Sequence, residues 1–193
     1  LLARGIDLLT LFGTTGEGAS FTVSERQAAI AACHSAGIPS SQLGTGIFAL
    51  TADDAGNQAR AAFDGGCGHV LMAPPSYYKG IDDDGLYAWF SAAIEAIGPN
   101  PADVVLYHIP SFTQAPLSVE LVKRLAAAFP GVVVGVKDSS GDWPHTERLI
   151  KERGDLNIFV GHEGQLEQGM RAGAAGAISG TGNVLPEVIQ AIV

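Results

Sequence analysis

Residues 132–142 read VVVGVKDSSGD. Four valines and a glycine form an apolar run too short for a helix and right for a strand, and SSGD closes it with turn residues. A strand with no polar alternation is covered on both faces, which is the habit of parallel sheets flanked by helices. The run ends on a lysine while the chain should still be inside. Unbroken pleating would put Val133, Gly135 and Lys137 on one face and Val132, Val134 and Val136 on the other.

Six more runs of this kind occur: Leu8–Phe12, Leu43–Ile47, His69–Ala73, Val104–His108, Ile158–Val160 and Gly176–Ile178. Helical segments lie between them. Thr22 with Glu25 has the spacing of a capping box, Thr51 with Asp54 repeats it, and Ser118 is placed to cap a third helix. Residues 98–103, GPNPAD, read as a loop entering a strand. Alternating strand and helix predicts an α/β domain around a parallel sheet. A Gly-rich dinucleotide turn after the first strand is missing, so the closed (β/α)8 TIM barrel is preferred to an open doubly wound sheet. Seven strand candidates in a length short of the roughly 250 residues typical of such barrels give the expectation of one barrel domain over 1–193, incomplete at both ends.

Bulk properties narrow the function. Of 193 residues, 47% are hydrophobic and 16% charged, the balance of a chain that buries a core. A net charge of −9 with only 11 Lys and Arg argues against a nucleic-acid surface, and no apolar run approaches a membrane span. The two cysteines, Cys33 and Cys67, have neither metal-ligand nor disulfide-scaffold spacing and read as reduced thiols of a cytoplasmic protein. His162 and Glu163 are adjacent without partners at helical spacing, so no metal site is expected.

Barrel enzymes carry their chemistry at the C-terminal ends of strands. Lys137 sits there, and an ammonium withdrawn from water is disfavoured against the neutral amine, which attacks carbonyl carbon to form a Schiff base. The competing reading is an exposed lysine or a structural pair with Asp138. LFGTTGEG (11–18) places Thr14 and Thr15 in a turn whose amides and hydroxyls suit a carboxylate, although a plain strand-to-helix turn is equally consistent. In VVLYHIPSFT (104–113), Tyr107 falls near a strand end, where it either relays protons or simply packs. His108 beside it should point to the other strand face, against a helix. Asp142 reads as an N-cap ahead of a Pro144 at the first helical position, and Asp82–Asp84 as a solvated acidic loop.

GTTGEG, YHIP and GVKDSSGD, in that order, resemble the dihydrodipicolinate synthase and N-acetylneuraminate lyase family of Schiff-base-forming lyases. The resemblance runs over essentially the whole chain. It implies that Lys137 condenses with pyruvate, that Tyr107 relays protons to the imine, and that Thr14 and Thr15, with Gly13, hold the pyruvate carboxylate. Tyr78 in PPSYYKG matches a tyrosine that crosses a subunit contact to join Tyr107 and Thr14, so a dimer or tetramer is implied. Ile178 matches a residue lining the pyruvate pocket. No cofactor or metal is implied, and the partners are small molecules: pyruvate or a related 2-keto acid and an aldehyde. By this resemblance the first strand, most of the last helix and a C-terminal helical extension lie outside the chain.

Two positions depart from the pattern. Phe112 stands where synthases of the family carry an arginine for the second substrate's carboxylate, and a phenyl ring makes no such ion pair. Synthase-like chemistry is therefore expected with a sugar-acid aldolase or dehydratase, or an N-acetylneuraminate lyase-like enzyme, as alternative. A non-catalytic keto-acid-binding protein is the alternative of another class. Val23 and Arg26 replace histidines of a lysine-inhibition site, so feedback by lysine is not expected.

Overall fold

The computed structural model describes residues 1–99, 101 and 103–193. In chain order the elements are β1 (Leu9–Leu11), α1 (Val23–Ser35), β2 (Leu43–Ile47), α2 (Ala52–Asp64), β3 (His69–Met72), α3 (Asp83–Ile97), β4 (Asp103–His108), α4 (Pro110–Thr113), α5 (Val119–Ala128), β5 (Val133–Asp138), α6 (Trp143–Glu152), β6 (Asn157–Val160), α7 (Leu166–Ala172), β7 (Gly176–Ala177) and α8 (Pro186–Gln190), with short 3-10 turns between. All strand pairs are parallel and the sheet order is the chain order, β1 to β7. The sequence reading of 98–103 as a loop falls partly on Asn100 and Ala102, outside the described residues.

Helix starts follow local chemistry. Thr22 Oγ1 accepts from the Glu25 amide at 3.3 Å while Glu25 Oε2 accepts from the Thr22 amide at 2.9 Å, a complete capping box. Thr51 and Ser118 accept from the amides of Asp54 and Leu121 at 3.2 and 3.0 Å. Two expectations are corrected here. Asp82–Asp84 is not a loop: Asp82 Oδ1 caps α3 by accepting from the Gly85 amide at 2.8 Å, and Asp83 and Asp84 form its first turn, where carboxylates meet the positive end of the helix. Asp142 holds the N-cap position of α6 as expected, but its side chain makes no capping bond, and Trp143, not Pro144, is the first helical residue.

The apolar residues separate by sheet face. Val70, Met72, Val104, Leu106, Val133, Val136 and Ile158 pack under the helices, with Leu86, Phe90, Leu121 and Leu125 supplying the helical side. Leu71, Ala73, Val105, Tyr107 and Ile109 form a second cluster on the opposite face, joined by Phe48, Val134, Phe159 and Ile178. The sheet curls around this inner cluster: Leu9, Thr10 and Leu11 of β1 and Ala177 and Ile178 at β7 line one cleft of about 250 Å³. Among the described residues no ladder joins β1 to β7. The architecture is a curled seven-stranded parallel half-barrel with helices outside it. No described helix is long and apolar enough to cross a membrane.

The faces of β5 differ from expectation. Val133 lies with Val136 on the outer face and Val134 on the inner one. The cause is a bulge: Val104 pairs with Val133 but Val105 pairs with Gly135, so β5 carries one residue more than β4. Gly135 does not hold space for a ligand either. A Cβ there would lie 2.3 Å from the Asn157 carbonyl oxygen, so the β6 backbone occupies that place.

Candidate active site

Beyond the bulge the register of β4 and β5 sets Tyr107 opposite Lys137 and His108 opposite Asp138. Lys137 Nζ donates to Tyr107 Oη at 3.2 Å and stands 4.4 Å from the tyrosine ring centre. Tyr107 is 2% exposed, so its phenol is in a dry setting, and its oxygen is 3.2 Å from Thr14 Oγ1. Three groups, from the turn after β1 and from β4 and β5, thus form one chain of hydrogen bonds at the C-terminal mouth of the sheet. Gly161 keeps room for the lysine stem: a Cβ would come within 2.9 Å of Lys137 Cε.

Thr14 is delivered by an unusual turn. β1 ends at Leu11, and Phe12 takes φ 54°, left-handed backbone that a bulky residue rarely adopts. The Gly18 amide then donates back to the Gly13 carbonyl at 3.0 Å. Gly18 lies so close to the Phe12 carbonyl that a Cβ would fall 1.9 Å from its oxygen. Buried Arg26 of α1 fastens the turn by donating to the carbonyl of Gly46 at 2.7 Å and to that of Gly18, with its guanidinium 5.1 Å from the Phe12 ring centre. Fixing a strained residue in this way is what a pre-organised site requires. Thr15 turns from Thr14 toward the far side, against Gly180, whose Cβ would be 2.8 Å from Thr15 Oγ1.

Gly13 forms the open part of the turn, with nothing within 4 Å of its would-be Cβ. Ile178 packs against the inner cluster and lines the cleft between β1 and β7 and the cavity at the other end of the sheet, not the cleft beside Thr14. Tyr78 is apart from the group: it is 71% exposed, its ring meets Tyr77 edge-on at 5.2 Å, and no hydrogen bond among the described residues joins it to Tyr107 or Thr14. Thr14 also borders a cleft of about 730 Å³, whose walls include Phe48, Leu50, Pro74, Ile109 and Phe112. A different cavity, of about 500 Å³, opens at the other end of the sheet around His69, Asp103 and Asn157, away from the lysine.

Directly behind the lysine is a group that the sequence did not announce. Asp138, 2% exposed, accepts on Oδ2 from His145 Nδ1 at 3.0 Å and Thr146 Oγ1 at 2.9 Å, and on Oδ1 from the Ser140 amide at 2.8 Å. His145 Nε2 lies 2.9 Å from the Leu117 carbonyl, so both its nitrogens face acceptors and the ring is an imidazolium. Burial works against that charge, but the bonds to Asp138 and Leu117 prevail and lift its pKa above the ordinary value. Burial likewise opposes the Asp138 carboxylate, whose pKa is nevertheless held low by His145, His108 and Ser140. His108 is the reverse case. Its Nδ1 accepts from the Leu117 amide at 3.0 Å, its ring stacks on His145 at 4.3 Å, and burial pushes its pKa down to about 4 against the pull of Asp138.

His108 does point outward against the helices, as expected. The ligating atoms of His108, Asp138 and His145 lie within 4.8 Å of one another, a set suited in principle to a divalent metal. Here the Asp138 carboxylate is already filled by a charged histidine, a hydroxyl and an amide, and the cluster is closed without an ion. One signal for it was available: Thr146 shares the buried face of α6 with Leu149 and Ile150, a polar residue in a core position. Arg26, one turn before Ile30 on the buried face of α1, was the same kind of signal. Cys33 and Cys67 are free, and burial, with Cys33 adding to it, pushes the Cys67 thiol up to about 11, far from a reactive thiolate.

The model of the dihydrodipicolinate synthetase family matches residues 1–193. The chain is 38% identical over 190 residues to an uncharacterized DapA-like lyase of Chloroflexus aurantiacus, covering 97% of this chain and 62% of that protein. It superimposes on dihydrodipicolinate synthase from Agrobacterium tumefaciens with a TM-score of 0.96 at 52% identity, over 100% of this chain and 67% of that one. The chloride inhibited dihydrodipicolinate synthase of Acinetobacter baumannii, complexed with pyruvate, matches with a TM-score of 0.87 at 30% identity over 98% of this chain and 64% of its own. The chain therefore spans less than two thirds of the length of the curated relative described above.

Proposed function

The chain belongs to the dihydrodipicolinate synthetase family, and on that premise we propose that it is the greater part of a single eight-stranded barrel domain in which Lys137 forms an imine with pyruvate. The observation that carries this reading is the Lys137–Tyr107–Thr14 chain of hydrogen bonds, with both links 3.2 Å long. An amine of this kind attacks the keto carbon, and loss of water gives the imine, an electron sink for making or breaking the adjacent carbon–carbon bond. Tyr107 takes and returns the protons of that exchange, and a buried phenol held by two neighbours is suited to the task. Thr14, Thr15 and the open backbone at Gly13 receive the carboxylate, and Ile178 is the proposed lining residue of the pyruvate pocket.

In this proposal Tyr78 acts on a second copy of the chain. Its 71% exposure and its lack of any bond to the site within its own chain support that role, and the working protein is then a homo-oligomer. The setting proposed is the cytoplasm, and no cofactor is invoked. The activity favoured is that of a lyase with the pyruvate chemistry of a 4-hydroxy-tetrahydrodipicolinate synthase, with Phe112 in place of the arginine setting a different acceptor aldehyde. Phe112, uncharged and on the cleft wall, favours as second reading an aldolase or dehydratase acting on 2-keto-3-deoxy sugar acids. A keto-acid-binding protein without catalysis would have no use for a nucleophile held against a phenol.

The test is borohydride reduction of the full-length protein in the presence of pyruvate, read by mass spectrometry. The expected outcome is one reduced adduct on Lys137, absent in Lys137→Ala. A folded protein that stays unmodified would remove the lyase reading.

A further inference from the structure

Resting on that imine reading, we infer that the aldehyde partner of this site is uncharged and carries an apolar, preferably flat substituent. The cleft beside Thr14 opens next to the residue that bonds Tyr107, and we take it as the acceptor's place. Its lining contains a single ionisable side chain, the acid Glu17. Lys79, the cation nearest the rim in bonding terms, gives its ammonium to the carbonyls of Ser76 and, at 3.5 Å, Thr113. An acceptor bearing a carboxylate would meet a like charge at Glu17 and no cation on the lining, and would leave its own charge unpaired as water withdrew.

Apolar groups fare oppositely. Phe48, Ala49, Pro74 and Ile109 line the cleft together with the hydroxyl residues Thr14, Ser20, Ser76 and Thr113, and Leu50 and Phe112 stand 54% and 65% exposed at it. Two large apolar side chains left bare on the wall of one cleft are surface that a ligand of matching character would cover. A ring presents the area and planarity to lie against Phe48 and Phe112.

The step balances as follows. The imine of pyruvate with Lys137 loses a methyl proton to give the enamine, and the enamine carbon attacks the aldehyde carbon. The new carbon–carbon bond takes the enamine electron pair, and the former carbonyl oxygen takes a proton. Water then hydrolyses the imine, freeing the Lys137 amine and a 4-hydroxy-2-oxo acid.

The test compares benzaldehyde with 4-carboxybenzaldehyde as acceptors for pyruvate in the full-length protein, after borohydride trapping has reported the imine. Expected is a kcat/KM for benzaldehyde at least about 10-fold higher, and a Phe112→Arg variant that narrows or reverses the ratio by about 10-fold. Imine formation with equal or better use of the carboxylated aldehyde would overturn the inference, as would an imine with neither aldehyde consumed. Failure to trap the imine would instead overturn the lyase reading beneath it.

Discussion

The ends of β4 and β5 carry two pairs of side chains one residue apart, and the two are built on opposite plans. On the inner face Tyr107 is held by Lys137 and Thr14, while Lys137 makes that one hydrogen bond among the described residues and keeps the rest of its capacity free. On the outer face Asp138 is filled by three donors, His145 has both ring nitrogens engaged, and His108 takes the Leu117 amide. A reacting group must have bonds left to make, whereas a buried scaffold must have none. The same two strands meet both demands because neighbouring residues face opposite ways.

If the outer cluster is scaffold, its loss should be felt first in stability. Asp138→Ala leaves the His145 imidazolium buried without its counter-ion, and the full-length protein should lose about 3–5 kcal/mol of unfolding free energy in urea. A change under about 1 kcal/mol would erase the contrast with the inner pair. Tyr107→Phe is the complementary case. It keeps the ring and deletes only the hydroxyl, so pyruvate trapping should slow about 100-fold while stability moves by about 1 kcal/mol. A variant that traps at the native rate would strip Tyr107 of its proton relay.

The smallest effect expected is one of pH, and its two arms have opposite signs. His108 has its pKa lowered from 6.5 to about 4, so between those values the unfolded chain binds a proton that the folded one refuses. Stability should therefore fall as pH drops through that window, and Asp138, whose pKa is held below 3.8, adds its own loss only beneath it. The pKa of His145 is raised above 6.5, so its contribution is complete below that pH and is lost as pH rises through the folded value. The remaining charged neighbour is Asp142, which supports the protonated form of both rings. Urea midpoints measured from pH 4 to 9 should show His108→Asn flattening the acid limb and His145→Gln the alkaline one. Identical profiles in all three proteins would deny the cluster its assigned charges.

Much of this was legible in the sequence. The seven strands fall within one or two residues of the apolar runs, because fully covered strands leave an unbroken apolar signature, and the Thr22, Thr51 and Ser118 caps were visible from spacing. The meeting of Thr14 and Tyr107, 93 residues apart, followed from placing both at strand ends of one sheet. What escaped was whatever breaks a regular period or depends on distant packing. Alternation assumes an even pleat, so it misplaced Val133. His145 reaches Asp138 only because α6 packs against the strand ends, and the role of Arg26 rests on one carbonyl of β2 and one of the turn after β1. Phe12 carries no residue-level mark of its left-handed backbone.

The extra residue at Val134 has a further meaning for how such a strand can change. From Val133 on the outer face, strict alternation would send Lys137 out under the helices and turn Asp138 toward the cleft; the bulge shifts the phase by one residue and puts each where it is found. Deleting Val134 would remove the bulge and leave both residues facing as they do, with Val133 still opposite Val104 and Lys137 still opposite Tyr107. The number of residues between the first valine of β5 and its lysine is thus not what aims the lysine: the pairing with β4 beyond the bulge does, and the bulge is the slack that absorbs one residue gained or lost before it.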